Sequence, residues 1–208
     1  KKLTDALWIA DQIGDDELLA RTMATLITTI GNNSGRPDEA LRWRRHADSV
    51  RARLLPGSMT GAWLLNSLGI VHWRRGDFQE ALDLMGRALA MIEAHHGPDD
   101  ARLARILNGL GAVHFRKGDR EAARTLFERS LALEEAALGP EHPDLATPLS
   151  NLGAVAGATG DYAGSLAYLR RALAIKEAAV GAQHPDLTSA LDNICATFGN
   201  MGNLAAAR

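Results

Sequence analysis

Residues 66–82 read NSLGIVHWRRGDFQEAL, and close variants return at 108–124 (NGLGAVHFRKGDREAAR), 150–166 (SNLGAVAGATGDYAGSL) and 192–208 (DNICATFGNMGNLAAAR), a constant shift of 42 positions. No feature of the chain constrains its fold more. A unit of that size is one supersecondary element, too small to cover its own apolar face, so successive copies must stack on one another.

Within the unit, two stretches carry apolar residues at helical spacing. Leu65, Leu68, Gly69 and His72 follow an i, i+3, i+4, i+7 pattern, and Ala81, Met85, Ala88 and Leu89 do the same after an intervening Gly-Asp. Each unit is therefore a helical hairpin. Gly76, Gly118, Gly160 and Gly202 suit the left-handed residue that ends the first helix, and Asp77, Asp119 and Asp161 follow as N-caps of the second. Glu80, three residues after Asp77, is placed to complete a capping box. Gly97, Gly139 and Gly181 stop the second helix, with Pro98 and Pro140 directly behind. Pro143-Asp144 and Pro185-Asp186 fall in the opening turn of the next first helix, where a missing N–H and a negative charge are both tolerated. Gly69, Gly111 and Gly153 lie mid-helix at a cost of about 1 kcal/mol relative to alanine, and Ala81, Ala123, Ser165 and Ala207 hold one place on the second helix. Small residues on both partners predict close helix–helix approach.

Composition limits what such an array does. With 46% hydrophobic and 23% charged residues and a formal charge of −2, the chain can bury a large core and carries no global field toward nucleic acid or anionic membranes. The single cysteine, Cys195, cannot form an internal disulfide, and no run reaches the ~20 apolar residues of a membrane span. A reducing, cytoplasmic compartment is expected. The chain opens KKLTDALW and closes inside a repeat, so it reads as a piece of a longer protein.

Leu-Gly at 68–69, Gly-Asp at 76–77 and alanines at 81 and 88 resemble the tetratricopeptide repeat. The 42-residue period, Leu-Asn at 65–66 and 107–108, and Gly-Pro-Glu-His-Pro-Asp at 139–144 are similar to the long-repeat version found in kinesin light chains and many bacterial signalling proteins. The resemblance implies an all-α fold, a right-handed superhelical solenoid of stacked antiparallel hairpins, forming a single domain over residues 1–208. Repeats are assigned to 58–97, 100–139, 143–181 and 185–208, the last truncated. Ala40-Leu41 precedes Ala81-Leu82 by 41 and Ala6-Leu7 precedes Ala40-Leu41 by 34, so 15–55 is read as a divergent hairpin with Thr28 in the place of Gly69, and 4–14 as an orphan second helix.

A helix turns 100° per residue, which puts Trp63, Asn66, Ile70, Trp73 and Arg74 on one stripe roughly opposite the packing face. The same stripe holds Arg105, Asn108, Ala112, Phe115 and Arg116 in the next unit. It then runs through Thr147, Ser150, Ala154, Gly157 and Ala158, with Asn151 beside Ser150, and in the last unit through Ser189, Asp192, Ala196, Gly199 and Asn200. Resemblance to the family implies that the stripe lines the concave surface. The groove would then be aromatic and cationic over 62–116 and bare over 146–200. Amides such as Asn66 and Asn108 can hold a peptide backbone from its donor and acceptor sides, and Arg74, Arg105 and Arg116 can fork onto carboxylates.

Catalytic signals are weak. There is no G-x-x-x-x-G-K-[ST], and Gly109-Leu110-Gly111 sits inside an expected helix. His95-His96 beside Asp99-Asp100 lacks the spacing of a metal motif, so neither metal nor cofactor is expected. His72 and His114 fall on the packing stripe as core histidines, and Cys195 replaces the mid-helix glycine as a buried small residue. DEALRWRRHADSVRAR, residues 38–53, carries five arginines on one expected helix, but Asp38, Glu39 and Asp48 dilute the charge and second helices face outward in the family, so nucleic acid is not the expected partner. The reading is a non-catalytic module of a scaffold or adaptor that binds an extended protein or peptide segment, without membrane contact and with uncovered terminal helices open to self-association. The alternative is a ligand-sensing domain of a bacterial signal-transduction NTPase or transcriptional regulator.

Overall fold

The computed structural model describes residues 2–33 and 35–202, and among them every regular element is helical. The backbone groups into two compact units, Lys1–Val113 and His114–Arg208.

The first unit contains α1 (Lys2–Gln12), α2 (Asp16–Thr28), α3 (Pro37–Leu41), α4 (Arg44–Arg53), α5 (Met59–Arg75) and α6 (Phe78–His96), and ends within α7 (Leu103–Lys117). α1 packs on α2, α2 on α5, and α5 on α6. The end of α5 shows how the repeat's punctuation works. Gly76 takes φ +92, its N–H bonds the carbonyl of Trp73 at 3.1 Å, and the Asp77 N–H reaches back to His72 at 2.9 Å. This pair of bonds satisfies carbonyls that the helix would leave open, and an L side chain resists that φ. Gly118, Gly160 and Gly202 repeat the conformation. Close approach is equally direct: a Cβ at Gly69 would lie 2.6 Å from Met85 Cγ and 3.3 Å from the Ala81 carbonyl oxygen.

The divergent hairpin departs from expectation in two ways. Residues 38–53 are not one helix. α3 stops at Leu41, the chain turns through Arg42 and Trp43, and α4 begins at Arg44. Thr28 also does not supply the close contact. Beyond it the helix widens into a π turn, Thr29–Asn33, and a Cβ at Gly31 would meet Ala40 Cβ at 3.2 Å and Val71 Cγ2 at 2.5 Å. The wider turn shifts the register, so Gly31 stands against Ala40 as Gly69 stands against Ala81.

In the second unit, α8 (Arg120–Leu138), α9 (Ala146–Ala158), α10 (Tyr162–Val180) and α11 (Thr188–Asn200) pack in sequential order, with short 3₁₀ turns at Pro143–Leu145 and Pro185–Leu187. Leu145, Ala146, Leu149, Ala172 and Ile175 form a core cluster closed by Leu131 and Tyr168. The histidine of the Gly-Pro-Glu-His-Pro-Asp segment has a role the sequence did not suggest. His142 Nδ1 accepts from the Asp144 N–H at 3.3 Å, and His184 does the same for Asp186 at 3.2 Å, so each caps the following turn.

Three cap and core expectations need correction. Asp119 and Asp161 accept the N–H of Ala122 and Gly164, but the Asp77 side chain makes no such cap. Its carboxylate is taken by His72 Nδ1 at 3.0 Å and by the Arg75 guanidinium. Glu80 completes no box because it pairs with Arg44 at 2.7 Å. Cys195 is exposed rather than buried. At the equivalent Gly153 the cover comes from Ser165 and Leu169 of α10, whereas Ala207, the counterpart of Ser165, lies outside the described residues.

One half-buried acid in this unit gives a pH-dependent expectation. Glu134 Oε2 is buried without a hydrogen-bond partner among the described residues, and burial, then repulsion from Asp144, push the carboxyl up from 4.5 to about 7. Between those values the folded chain holds a proton that the unfolded chain has released, so the contribution to stability falls as pH rises through that window. Glu134→Gln is expected to stabilise the fold at pH 8 by about 1–2 kcal/mol, allowing for the side chain's open side, and to change little at pH 4. Thermal melts of both proteins at the two pH values check it, and a gain equal at both would contradict the assigned cause.

Candidate functional site

The stripe expected on α5 divides by burial. Trp63, Ile70 and Trp73 are half-buried and Arg74 is exposed, with its guanidinium 5.8 Å from the centre of the Trp73 ring. Asn66 is sunk, only 1% exposed, and its Oδ1 has no hydrogen-bond partner among the described residues; the Trp73 Nε1 is likewise buried and unpartnered. The cause lies in α7. Gly109 presents no side chain, and a Cβ there would meet the Met85 sulfur at 3.2 Å and Asn66 Oδ1 at 3.8 Å. From α7, Arg105 is exposed and Asn108 half-buried. The Arg105 guanidinium carbon stands 5.3 Å from the centre of the Trp63 ring, which fixes a cation over the flat face of an indole.

Trp63 and Arg105 belong to an open pocket of about 380 Å³ whose other wall comes from α2 and its π turn, through Arg21, Ala24, Thr25, Thr28 and Thr29, with Thr60 and Ser67 from α5. Among the described residues no carboxylate lines it. The acids at the start of α2 are engaged elsewhere, Asp16 by Arg53 at 2.8 Å and Glu17 by the Ser58 hydroxyl at 2.8 Å. Thr25 donates to the Arg21 carbonyl at 3.0 Å and Thr28 to that of Ala24 at 2.8 Å. Arg21, Thr25 and Thr28 recur at i, i+4 and i+7 on α2, the spacing that marked the stripe on α5. That signal was present, but the loss of the repeat's consensus in this hairpin hid it.

Beneath the stripe, His72 is buried, with Nδ1 toward Asp77 and Nε2 3.2 Å from Arg44. Arginine only donates, so Nε2 accepts and Nδ1–H donates to Asp77. Asp77 is held below the usual carboxylate range by its hydrogen bonds from His72 and then Arg75. Arg44 bonds Glu80, Arg53 bonds Asp16 and Arg75 bonds Asp38 at 3.2 Å, so part of the basic segment serves as internal ion pairs. His95 bonds its own helix at the Met91 carbonyl, and Asp100 receives the Arg102 guanidinium and N–H, which hold its carboxyl at about 2.

In the second unit the last turn of α7 presents Phe115, half-buried, and Arg116, exposed. His114 is partly open, with Nδ1 3.2 Å from Asp119. On α9, Ser150 and Asn151 are half-buried and Ala154 exposed. The Ser150 hydroxyl donates to the Ala146 carbonyl at 2.7 Å, so its proton is already used. Asp192 is exposed on α11 and lines an open cleft of about 700 Å³ with Pro143, Lys176, Val180 and Thr188. Among the described residues no three His, Cys, Asp or Glu side chains gather as metal ligands, and no helix is long and apolar enough to cross a membrane.

Tetratricopeptide-repeat family models match residues 62–102 and 102–178, together more than half of the 208 residues. The chain belongs to the tetratricopeptide repeat family. Such repeats are generally non-catalytic protein–protein interaction modules. A search of curated proteins gave no significant match. Among solved structures, this tetratricopeptide-repeat chain is similar to BtubC (BKLC) from P. vanneervenii, at 19% identity and a TM-score of 0.84, with 99% of this chain and 84% of that one covered. It is also similar to a Podosopora anserina protein described in kinesin-light-chain terms, with nearly identical TPR-like repeats, at 19% identity and a TM-score of 0.73, covering 90% and 89%. A second crystal structure of that protein, a substituted form, matches at 19% identity and a TM-score of 0.74, covering 90% and 88%. At this identity the likeness concerns the fold, and it reaches the divergent hairpin that the family models leave unmatched.

Proposed function

We propose that the chain is a peptide-binding module of a larger cytoplasmic scaffold or adaptor, taking an extended segment of a partner protein along its first-helix stripes. The observation that carries this reading is the open pocket of about 380 Å³ on the stripe of the first unit, walled by Trp63 and Arg105, on the helix whose stripe also carries Ile70, Trp73 and Arg74. Asn66, on the same stripe, is 1% exposed beneath α7 and stands behind this surface rather than on it. Asn108 holds the same stripe position one repeat along, still within the first unit. In the second unit Phe115, Arg116, Ser150, Asn151, Ala154 and Asp192 form the corresponding stripe, where the exposed, small Ala154 leaves space for a bulky apolar side chain. An exposed free thiol at Cys195 is compatible with a reducing cytoplasm.

Selection of random extended peptides against the 208-residue chain tests the reading. A consensus is expected to emerge, and Asn108→Ala should weaken every selected peptide by about 0.5–1.5 kcal/mol through lost backbone hydrogen bonds. Trp73→Ala should weaken them further by removing an aromatic anchor. Absence of any enriched peptide, or binding indifferent to both substitutions, would end the proposal.

A further inference from the structure

We propose that the pocket between α2, α5 and Arg105 is a phosphoryl site, which takes a phosphorylated side chain of the bound peptide; this rests on the peptide-binding reading above. Three observations converge on it. The first is charge. Arg21 and Arg105 both line the pocket and neither makes an ion pair among the described residues, whereas Arg44, Arg53, Arg75 and Arg102 of the same unit are each tied to a carboxylate. With no acid among the described residues of its walls, the pocket holds two uncompensated positive charges. A phosphate monoester carries a charge of about −1.5 to −2 and three terminal oxygens, which two guanidinium forks can share; a carboxylate, with one charge and two oxygens, is saturated by one fork.

The second is hydrogen-bond supply. Thr25 spends its hydroxyl proton on the Arg21 carbonyl, and the Thr28 hydroxyl lies between the Ala24 carbonyl at 2.8 Å and the Ser67 hydroxyl at 3.2 Å, so both are engaged within the wall. Among the described lining residues Arg21 and Arg105 are the charged donors, so they supply the charge-assisted bonds to an anion, with the neutral hydroxyls of Thr60 and Ser67 in the same wall. The third is shape. A volume of about 380 Å³ is more than a carboxylate side chain fills, and the Trp63 indole, held beneath Arg105, gives a flat apolar wall beside the cationic end. That combination suits the ring and phosphoryl group of phosphotyrosine best, with phosphoserine reaching the cations alone.

The test is a titration of the intact chain, followed by NMR of backbone amides and the Trp63 indole, with the N-acetyl amides of phosphotyrosine, phosphoserine, tyrosine and glutamate and with inorganic phosphate. Phosphotyrosine amide is expected to bind at least about ten-fold tighter than glutamate amide or inorganic phosphate, with shifts concentrated at Arg21, Thr25, Thr60 and Trp63. Arg21→Gln and Arg105→Gln should each weaken it by about five-fold or more, while Arg124→Gln, at an exposed position of α8 in the other unit, leaves it unchanged. Equal binding of glutamate amide would make this a carboxylate site and overturn the proposal. So would shifts scattered over surface arginines, or binding indifferent to Arg21→Gln with the fold intact by circular dichroism. If selected unphosphorylated peptides bind through Trp73 and Asn108 while the phosphoryl compounds do not, only this inference fails. If phosphotyrosine amide binds as described and no peptide is ever selected, the phosphoryl pocket stands and the peptide-binding reading fails.

Discussion

Gly153→Leu is expected to lower the stability of the second unit by about 1–3 kcal/mol, seen as a fall of several degrees in the melting temperature. A Cβ at this position would already stand 2.7 Å from Leu169 Cγ and 3.4 Å from the Ser165 carbonyl oxygen. Leu169 can turn aside, but the Ser165 oxygen belongs to the α10 backbone, so the remaining leucine atoms must push α9 from α10. In a stacked array each hairpin leans on its neighbours, so loss at this contact is expected to broaden the unfolding transition as well as shift it. Gly86→Ala is the matched control. Gly86 is also mid-helix, but a Cβ there meets nothing within 4 Å, so the substitution should stabilise by about 0.5–1 kcal/mol through helix propensity alone. Calorimetric melts of the three proteins decide the matter; an unchanged melting temperature for Gly153→Leu would show that the helices do not depend on this contact.

Arg105→Glu should reduce affinity for acidic peptides by about 10–100-fold at low salt, with a much smaller effect on neutral ones. The substitution exchanges a cation held over Trp63 for an anion facing Arg21, so it removes one half of the pocket's attraction and neutralises the other. Salt is the discriminating variable. Exposed charges are screened over about 10 Å at ~0.1 M, so the gap between the wild type and Arg105→Glu should narrow as salt rises, whereas a defect from lost packing would not. Arg116→Glu gives the corresponding test for the stripe of the second unit. Calorimetry at low and high salt reads both. If Arg105→Glu leaves acidic-peptide affinity and its salt dependence untouched, the stripe does not act through its cations.

Much of the fold could be read from the sequence because its determinants are local. Gly76 needs a positive φ to end α5, and a mid-helix glycine such as Gly153 announces a close neighbour wherever a small residue answers it. These requirements act on single positions, and repetition at a shift of 42 separates them from chance. The divergent hairpin was less legible, since Gly31 meets Ala40 only through the wider π turn, and no spacing rule marks where a helix changes its pitch.

The candidate site divides the same way. Which residues share the α5 stripe follows from helix geometry, but whether each is open is decided by what packs over it. Asn66 falls on the α5 stripe by helix geometry and is nevertheless covered, because Gly109 lets α7 approach. Asp77 occupies an N-cap position and is nevertheless diverted, because buried His72 has an N–H to place and the carboxylate offers the stronger bond. Arg21 shares a helical stripe with Thr25 and Thr28 that the divergent hairpin conceals, and it becomes half of a cationic pocket only once α2 stands beside α5. Helix limits, turns and small-residue contacts are set by the chain's own dihedrals and sterics over a few residues, so the sequence by itself determined the tetratricopeptide repeat. Burial, ion-pair choice and pocket walls depend on residues brought together from tens of positions apart, where desolvation and competing partners set the outcome, and these only the tertiary structure decided.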